Sequence, residues 1–531
     1  MASPSAQDEL QSDIPISSLL LSRLSSPLFI LPLFATLGLI GILNHDMWRD
    51  EMNTWLIVRD STSLGEMLGY VNYQGHPALW ALLVSLVRNI ADTPVVMQLL
   101  HWVIGTGAIA LFWYYSQFTR LQKVLFTFGY LPFYEYFLIS RPYVVGMFCI
   151  FLFCTLYPSR KTSYVWVAIA LGLMANSHAF AAIISLGAFL ALALEFLMDK
   201  THRLSYWAHA KKYDLILSLV ILFSLYLFAF LILNPPPDSA NSGGQSGWFL
   251  EFDLRRLLKV LGRFLGAYTL IVPNSRRWLD LIICDGIGIG LFLITAAKLI
   301  RTRTPLLFYL FGTGGLLSFF YLRFMGHGTR HYGFLYLAMI AGLWLAQHHI
   351  SGDRPPLKPL HIKGKVFQIE SIHNIIFTLI LLFHLIGGLY RFPLDLSIPF
   401  SAAKDTAQYI REVEMEDGII VASPDTYMAA LAGYLNRQLY YPELEGLGSF
   451  TIFQEGRRQA VTQEDILNQT RKVLRQTEEC QALLVLTDPL EVQHPTLTIT
   501  PLTQFEQAWH RSEHMFLYEV IPTKQRGKCR L

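Results

Sequence analysis

Three places in the sequence gather side chains able to move a proton or hold an anion. The first reads Asp46-Met47-Trp48-Arg49-Asp50-Glu51, followed at a distance by Tyr73-Gln74-Gly75-His76-Pro77-Ala78-Leu79-Trp80. A carboxylate beside a hydroxyl can take its proton as the oxygen attacks, so Asp50 and Glu51 are candidates for base chemistry. The plainer reading is a solvated helix start, where acids are favoured. On the two acids alone the readings balance. The second place is Ser140-Arg141-Pro142-Tyr143, where Arg141 opens an apolar block shortly after Glu135, itself inside another. Charges in such blocks are costly and are either paired or functional, and Glu135 and Arg141 are expected to pair. In the third, Arg323, His327, Arg330 and His331 crowd the turn 323–332, a concentration of cations suited to an anion. His178 adds a further imidazole at the end of Asn176-Ser177-His178.

Histidine is also a metal ligand, so His76, His178, His327 and His331 make a divalent ion a secondary expectation. The one usable spacing is His327 and His331 at i, i+4, and Gly326 and Gly328 oppose a helix there. No other cofactor is implied. Cys149, Cys154 and Cys284 fall in apolar blocks and read as small hydrophobes, whereas Cys480 and Cys529 are candidates to pair in the polar C-terminal part. The segment 254–265 is basic and amphipathic. It reads as a surface-lying helix that either anchors the chain or walls a groove for a lipid phosphate.

These residues need elements to carry them, and composition says what kind. Hydrophobic residues make up 53% of the 531 and charged ones 15%, far below the roughly 25% of a soluble domain. A net charge of +3, scattered along the chain, gives no reason to expect nucleic acid. The apolar blocks are of bilayer length, at about 20 residues each. They place about eleven spans near 27–44, 94–116, 122–139, 141–157, 163–178, 180–198, 214–234, 278–300, 305–323, 333–349 and 372–392. The segment 76–89 is apolar but short, and reads as re-entrant or interfacial. The block 27–44 has no cleavage pattern after it and is expected to stay as the first span.

Arg120, Lys123, Arg160, Lys161, Lys200, Arg203, Lys211 and Lys212 fall in alternate connections, as do Arg301, Arg303, Arg354, Lys358, Lys363 and Lys365. The positive-inside rule puts those loops, and the tail 1–26, in the cytoplasm. The loop 45–93, the Arg141 corner, the loop 235–277 and the turn 323–332 then share the opposite face with the region 393–531. That last region alternates helical and strand patterns and is expected to be an extracytoplasmic α/β domain. Its Ser423-Pro424-Asp425 reads as a turn, and nothing in it signals chemistry of its own. A plasma membrane location is expected.

Taken in order, the motifs make residues 27–392 resemble the GT-C glycosyltransferases, in the branch of protein O-mannosyltransferases and lipid A aminoarabinose transferases. The resemblance rests on Asp50-Glu51 after the first span, His76-Pro77 opening an apolar helix, Arg141 and Tyr143 starting a span, and Arg330-His331-Tyr332 before a late one. Ala78 stands where a second proline is frequent. The resemblance implies an all-α polytopic domain that moves a sugar from a polyprenyl-phosphate donor to a lipid, glycan or protein acceptor. It implies Asp50 as the base, with Glu51 orienting substrate or a partner residue. Arg141, Arg330 and His331 would meet the donor phosphate, and Trp48, His76, His178 and Tyr332 would contact substrate. The competing readings are a polytopic transporter or lipid-linked saccharide flippase, and a non-catalytic assembly subunit. Against transport, the sequence has no internal repeat and no matched pair of broken helices.

Overall fold

The computed structural model describes residues 24–239, 248–271, 277–326, 328–349, 360–362, 365–367, 369–454, 456–458, 460–477 and 479–523. Residues 1–23, His327, Arg354, Lys358, Lys363 and Cys529 lie outside the described residues.

The chain opens with α1 (Pro27–Asn44), α2 (Arg49–Asp60), α3 (Leu64–Asn72), α4 (Leu79–Arg88), α5 (Val95–Tyr115) and α6 (Arg120–Thr127). It continues with α7 (Tyr143–Leu156), α8 (Val165–Ser177), α9 (Ala179–Met198), α10 (Lys200–His209) and α11 (Asp214–Leu233). Then come α12 (Leu254–Leu261), α13 (Arg263–Thr269), α14 (Trp278–Leu299), α15 (Arg303–Leu322) and α16 (Thr329–Gln347). A hairpin of β1 (Leu360–Ile362) and β2 (Lys365–Phe367) precedes α17 (Ile369–Ser397). Helices are the natural form for such blocks, because without water the backbone must satisfy its own hydrogen bonds.

Among the described residues, 8 helical stretches are long and apolar enough to cross a membrane: α1, α5, Tyr143–Lys161, α9, α11, α14, α15 and Glu370–Ser397. The other three expected spans take different forms. The block 122–139 breaks after α6 into a buried π turn, Tyr130–Glu135, around Pro132. The block 163–178 is the 13-residue α8. The block 333–349 is α16, whose side chains are buried without interruption from Tyr332 to Ala346, so it is the central post of the bundle. At 10 residues α4 is about 15 Å long, half of a bilayer core. Helices α9 and α15 come close at Gly187, where a Cβ would lie 2.7 Å from the Gly312 backbone nitrogen. Small residues serve this purpose where helices pack without a hydrophobic driving force.

Polar residues sort to two ends of the bundle. At one end Arg160 Nε holds Glu195 at 2.8 Å, Thr304 donates to the same carboxylate, and Arg160 also meets His349 Nε2 at 3.1 Å. Loops that the Lys/Arg pattern put on one side thus meet there. At the other end Asp50, Arg141, His178 and Arg330 come together.

The C-terminal part contains α18 (Ala403–Glu412), β3 (Ile419–Ser423), α19 (Asp425–Leu435), β4 (Leu439–Tyr441) and β5 (Gly446–Gly448). It closes with α20 (Gln463–Thr477), β6 (Ala482–Leu486), β7 (Leu497–Phe505) and β8 (Met515–Pro522). The sheet runs β5-β4-β3-β6-β8-β7, with β3 parallel to both β4 and β6 and the outer pairings antiparallel. This is a layered α/β unit, as the alternation of patterns predicts. Helix α19 is the addition: the turn expected at Ser423-Pro424-Asp425 is its start, with Asp425 in the first turn. Cys480 is disulfide-bonded, whereas Cys149, Cys154 and Cys284 are free.

Candidate active site

Helix α2 carries the acids, and its period decides what each one does. Asp50, Asn53, Thr54 and Ile57 share one face and line a pocket of about 470 Å³. Glu51, Met52, Trp55 and Leu56 face the other way and are buried. Against that face packs α19, so close that a Cβ on Gly433 would lie 2.6 Å from Met52 Sδ. The Met47 amide donates to Tyr434 Oη at 2.7 Å, and Thr451 N–H donates to Asn53 Oδ1 at 3.1 Å. The C-terminal domain therefore sits directly on the acidic helix.

Glu51 is completely buried and fully engaged. One oxygen accepts from the Ser140 amide at 2.6 Å, and the other meets His45 Nε2 at 3.0 Å and the Trp48 amide at 3.3 Å. His45 Nδ1 meets Asp395 Oδ2 at 2.8 Å, whose other oxygen accepts from Tyr134 Oη at 3.0 Å. Burial opposes a charge on His45, but Asp395 and Glu51 outweigh it and raise its pKa well above the usual histidine value. Glu51, expected to orient substrate or a partner residue, is thus bonded to His45, Trp48 and Ser140 and not to anything in the pocket.

Asp50 is the acid that faces the pocket. Its Oδ2 lies 3.0 Å from Arg141 Nη1 and 3.9 Å from Arg330 Nη2, and its Oδ1 lies 3.6 Å from Arg49 Nε. Burial would raise this carboxyl, yet Arg141, Arg330, Arg49 and His76 together hold it at about 2. Arg141 does not pair with Glu135 as expected: Glu135 accepts from Tyr130 Oη at 2.6 Å, and Arg141 turns to Asp50. Two devices fix the arginines. The Arg141 amide donates to His101 Nε2 at 3.2 Å, and Tyr136 Oη donates to the Arg330 carbonyl at 2.7 Å. The guanidinium of Arg141 lies 5.8 Å and that of Arg330 5.2 Å from the Trp48 ring centroid.

His76, His178 and His331 also line the pocket, with His76 and His178 ring centroids 5.1 Å apart. Burial first, and then Arg141, lowers His76 to about 4. Trp48 and Tyr332, expected to contact substrate, stand behind the wall instead. Trp48 stacks on His510 at 5.2 Å beneath the arginines, and Tyr332 packs against the guanidinium of Arg263. Among the described residues no three of His, Cys, Asp and Glu converge in a metal-binding group.

The C-terminal domain, whose sequence signals no chemistry of its own, contributes to the site. Thr426, Tyr427, Thr451 and Phe453 form one wall of the pocket. The Tyr427 ring lies 4.0 Å beneath the Arg49 guanidinium, and Arg49 Nη1 is 3.8 Å from Glu513 Oε1. Asn53 and Gln74, hydrogen-bonded to each other at 2.8 Å, join that wall. Asn53 was legible as the i+3 neighbour of Asp50 on one helix face. The residues from beyond position 400 had no local signal.

No protein-family model matches the sequence, and no curated protein matches it. Among solved structures it is similar to ArnT from Cupriavidus metallidurans in the apo state. The alignment has 13% identity and a TM-score of 0.50, and covers 92% of this chain and 97% of that one. ArnT from the same organism bound to undecaprenyl phosphate aligns at 12% identity and TM-score 0.46, over 92% of this chain and 97% of that one. Arabinofuranosyltransferase AftD from Mycobacteria aligns at 12% identity and TM-score 0.41, over 93% of this chain and 40% of that one. What is shared is the fold: the chain has the architecture of ArnT, in line with the GT-C resemblance of its motifs.

Proposed function

We propose that the protein is a glycosyltransferase that moves a sugar from a polyprenyl-phosphate donor to an acceptor hydroxyl. The observation that carries this is one carboxylate, Asp50, held between Arg141 and Arg330 in a pocket of a GT-C-like fold. In the reaction the acceptor oxygen attacks the anomeric carbon while Asp50 takes its proton. The bond from that carbon to the phosphate oxygen breaks, and its electron pair leaves with the phosphate. Arg330 and Arg141 meet the charge that develops there. A single direct displacement inverts the anomeric centre.

A carboxyl held at about 2 is a weak base, and the ion pairs explain how it becomes a better one. The donor phosphate competes for the same arginines, and every contact it takes from Asp50 raises that carboxyl toward its ordinary value. Base strength is thus coupled to donor occupancy.

The reading places this end of the molecule on the extracytoplasmic side of a plasma membrane. The Lys/Arg distribution supports that sidedness, and so does the disulfide at Cys480, which suits an oxidising compartment.

The test uses purified protein and a polyprenyl-phosphate sugar. Asp50→Asn should slow turnover on the order of 10²-fold or more while donor binding survives. Arg330→Ala should weaken donor binding and slow turnover together, because its contact exists in both ground and transition states. Normal turnover by Asp50→Asn would remove Asp50 as base, and absence of turnover in the parent protein would favour a transporter.

A further inference from the structure

Two histidines in the pocket are held by the ends of helices in a way that decides which ring nitrogen carries the proton. His178 is the N-cap of α9, and its Nδ1 accepts the Phe180 amide at 3.1 Å. His331 is the third residue of α16, and its Nδ1 accepts the Gly328 amide at 3.2 Å, the position usually filled by the Glu or Gln of a capping box. A ring nitrogen that accepts an N–H bears no proton, so in both residues the hydrogen sits on Nε2. His178 is 1% exposed, and its Nε2 has no hydrogen-bond partner among the described residues although the residue lines the pocket. Its ring cannot swing to find one. It packs against Phe334 at 5.0 Å, Phe180 at 4.9 Å and Tyr143 at 4.5 Å.

We infer that His178 and His331 are fixed, uncharged N–H donors to the phosphate oxygens of the lipid-linked donor. This rests on the glycosyltransferase reading above and adds a way of holding the phosphate without adding charge. The location favours phosphate over sugar. Both histidines pack against Phe180, and His331, next to Arg330 on α16, also against Phe324, whereas Tyr427 and Thr451 of the hydroxyl-bearing wall pack against Arg49 and Asn53 of α2. Charge balance favours neutral donors too. Arg49, Arg141 and Arg330 against the one carboxylate of Asp50 already leave more positive charge than a singly charged phosphodiester needs, and further cations would slow its release. Burial, then His76, His331 and Arg141, hold His178 well below the usual histidine range.

The decisive variant is His178→Asn, because asparagine is a preferred N-cap and keeps the bond to the Phe180 amide while removing the Nε2 donor. With full-length protein in lipid nanodiscs, its affinity for undecaprenyl phosphate should fall about tenfold, the worth of one hydrogen bond to a charged group. Its melting midpoint should stay within a few degrees of the parent's. Undecaprenyl methyl phosphate, whose single charge does not titrate, should bind the parent protein equally from pH 6 to 8. NMR of isotope-labelled histidine should find Nδ1 of residue 178 unprotonated. Inorganic phosphate should displace the lipid only at large excess, and displacement at equal concentration would overturn the lipid assignment. Parent-like affinity in His178→Asn, or affinity rising steeply as pH falls through the histidine range, would overturn the neutral-donor role alone. If the parent bound no polyprenyl phosphate at all, the glycosyltransferase reading would fall and take this one with it.

Discussion

Asp50 and Glu51 are neighbours in sequence and belong to opposite regions of the molecule. One region is the pocket, where Asp50 lies among three arginines with 29% of its side chain exposed. The other is a closed knot in which Glu51, His45, Asp395 and Tyr134 leave no room for a ligand. A helix turns 100° per residue, so one position is enough to separate them. The lesson is that a pair of adjacent acids is one pocket-facing group plus the anchor that aims it. Glu51 ties α2 to the Ser140 amide, one residue before Arg141. Asp50 and its arginine partner are therefore set against each other by the acid that faces away from the pocket.

The comparison breaks most sharply if the knot is cut. Glu51→Ala leaves a buried cationic His45 with only Asp395, and loss of one partner from such a group costs about 3–5 kcal/mol. Yield and melting temperature should collapse, and the specific activity of whatever folds should fall as well, because Glu51 aims the helix that carries Asp50. Asp50→Asn should instead fold normally with little turnover. If Glu51→Ala melted normally but was inactive, the two acids would have been assigned to the wrong regions.

A smaller effect sharpens the comparison at its edge, where Glu513 of the C-terminal domain faces Arg49 from outside the pocket. Burial raises Glu513 to about 8, with Arg49 and Ser401 opposing. The unfolded carboxyl ionises near its ordinary value, about 4.3. Between these two values the folded chain holds a proton that the unfolded chain has lost, so stability falls as pH rises from about 4 to 8. His45 contributes loss in the same direction, beginning at the ordinary histidine value of about 6.5 and complete once pH passes its own raised pKa. Glu513→Gln should therefore flatten the decline of melting temperature between about pH 5 and 6.5, make it shallower up to about pH 8, and leave the loss that His45 causes. An unchanged slope would mean that Glu513 is ionised in the folded protein.

Much of this was legible in the sequence because membranes leave few alternatives. Apolar length gave most of the bundle, and the Lys/Arg pattern sorted its loops into the two ends that the structure brings together. Asp50, Arg141, Arg330, His76, His178 and His331 all converge on one pocket, because every one is a polar residue at the end of an apolar block. The misreadings have physical reasons as well. Glu135 and Arg141 look like partners in sequence, but the π turn at Tyr130–Glu135 faces the acid toward Tyr130. Trp48 and Tyr332 sit in the right motifs with their rings turned inward, a matter of packing that period alone does not fix. Tyr427, Thr451, His510 and Glu513 reach the site only because the C-terminal domain docks on α2, a contact across some four hundred positions that no local pattern announces.

The smallest expected effect concerns the basic segment 254–265, which flanks the pocket without lining it. The structure divides it at Gly262 into α12 and α13 and separates its cations by role. Arg256 Nε donates to the Tyr321 carbonyl at 2.6 Å and its guanidinium covers Phe249, so it ties α12 to α15. Arg255 instead lies 5.2 Å from the Trp278 ring, and Lys259 is on the same short helix. If α12 attracts anionic lipid, each cation near the surface is worth about 1 kcal/mol, screened by salt. Arg255→Gln with Lys259→Gln should then raise the apparent KM for a polyprenyl-phosphate sugar several-fold at low ionic strength. At high salt the difference should fade, with kcat unchanged throughout, because neither residue reaches Asp50. Arg256→Gln should lower stability instead, by about 1 kcal/mol or somewhat more for a lost charge-assisted hydrogen bond. A salt-independent loss of kcat in the Arg255 and Lys259 double variant would contradict this division, since it would place α12 in the reaction and not at its approach.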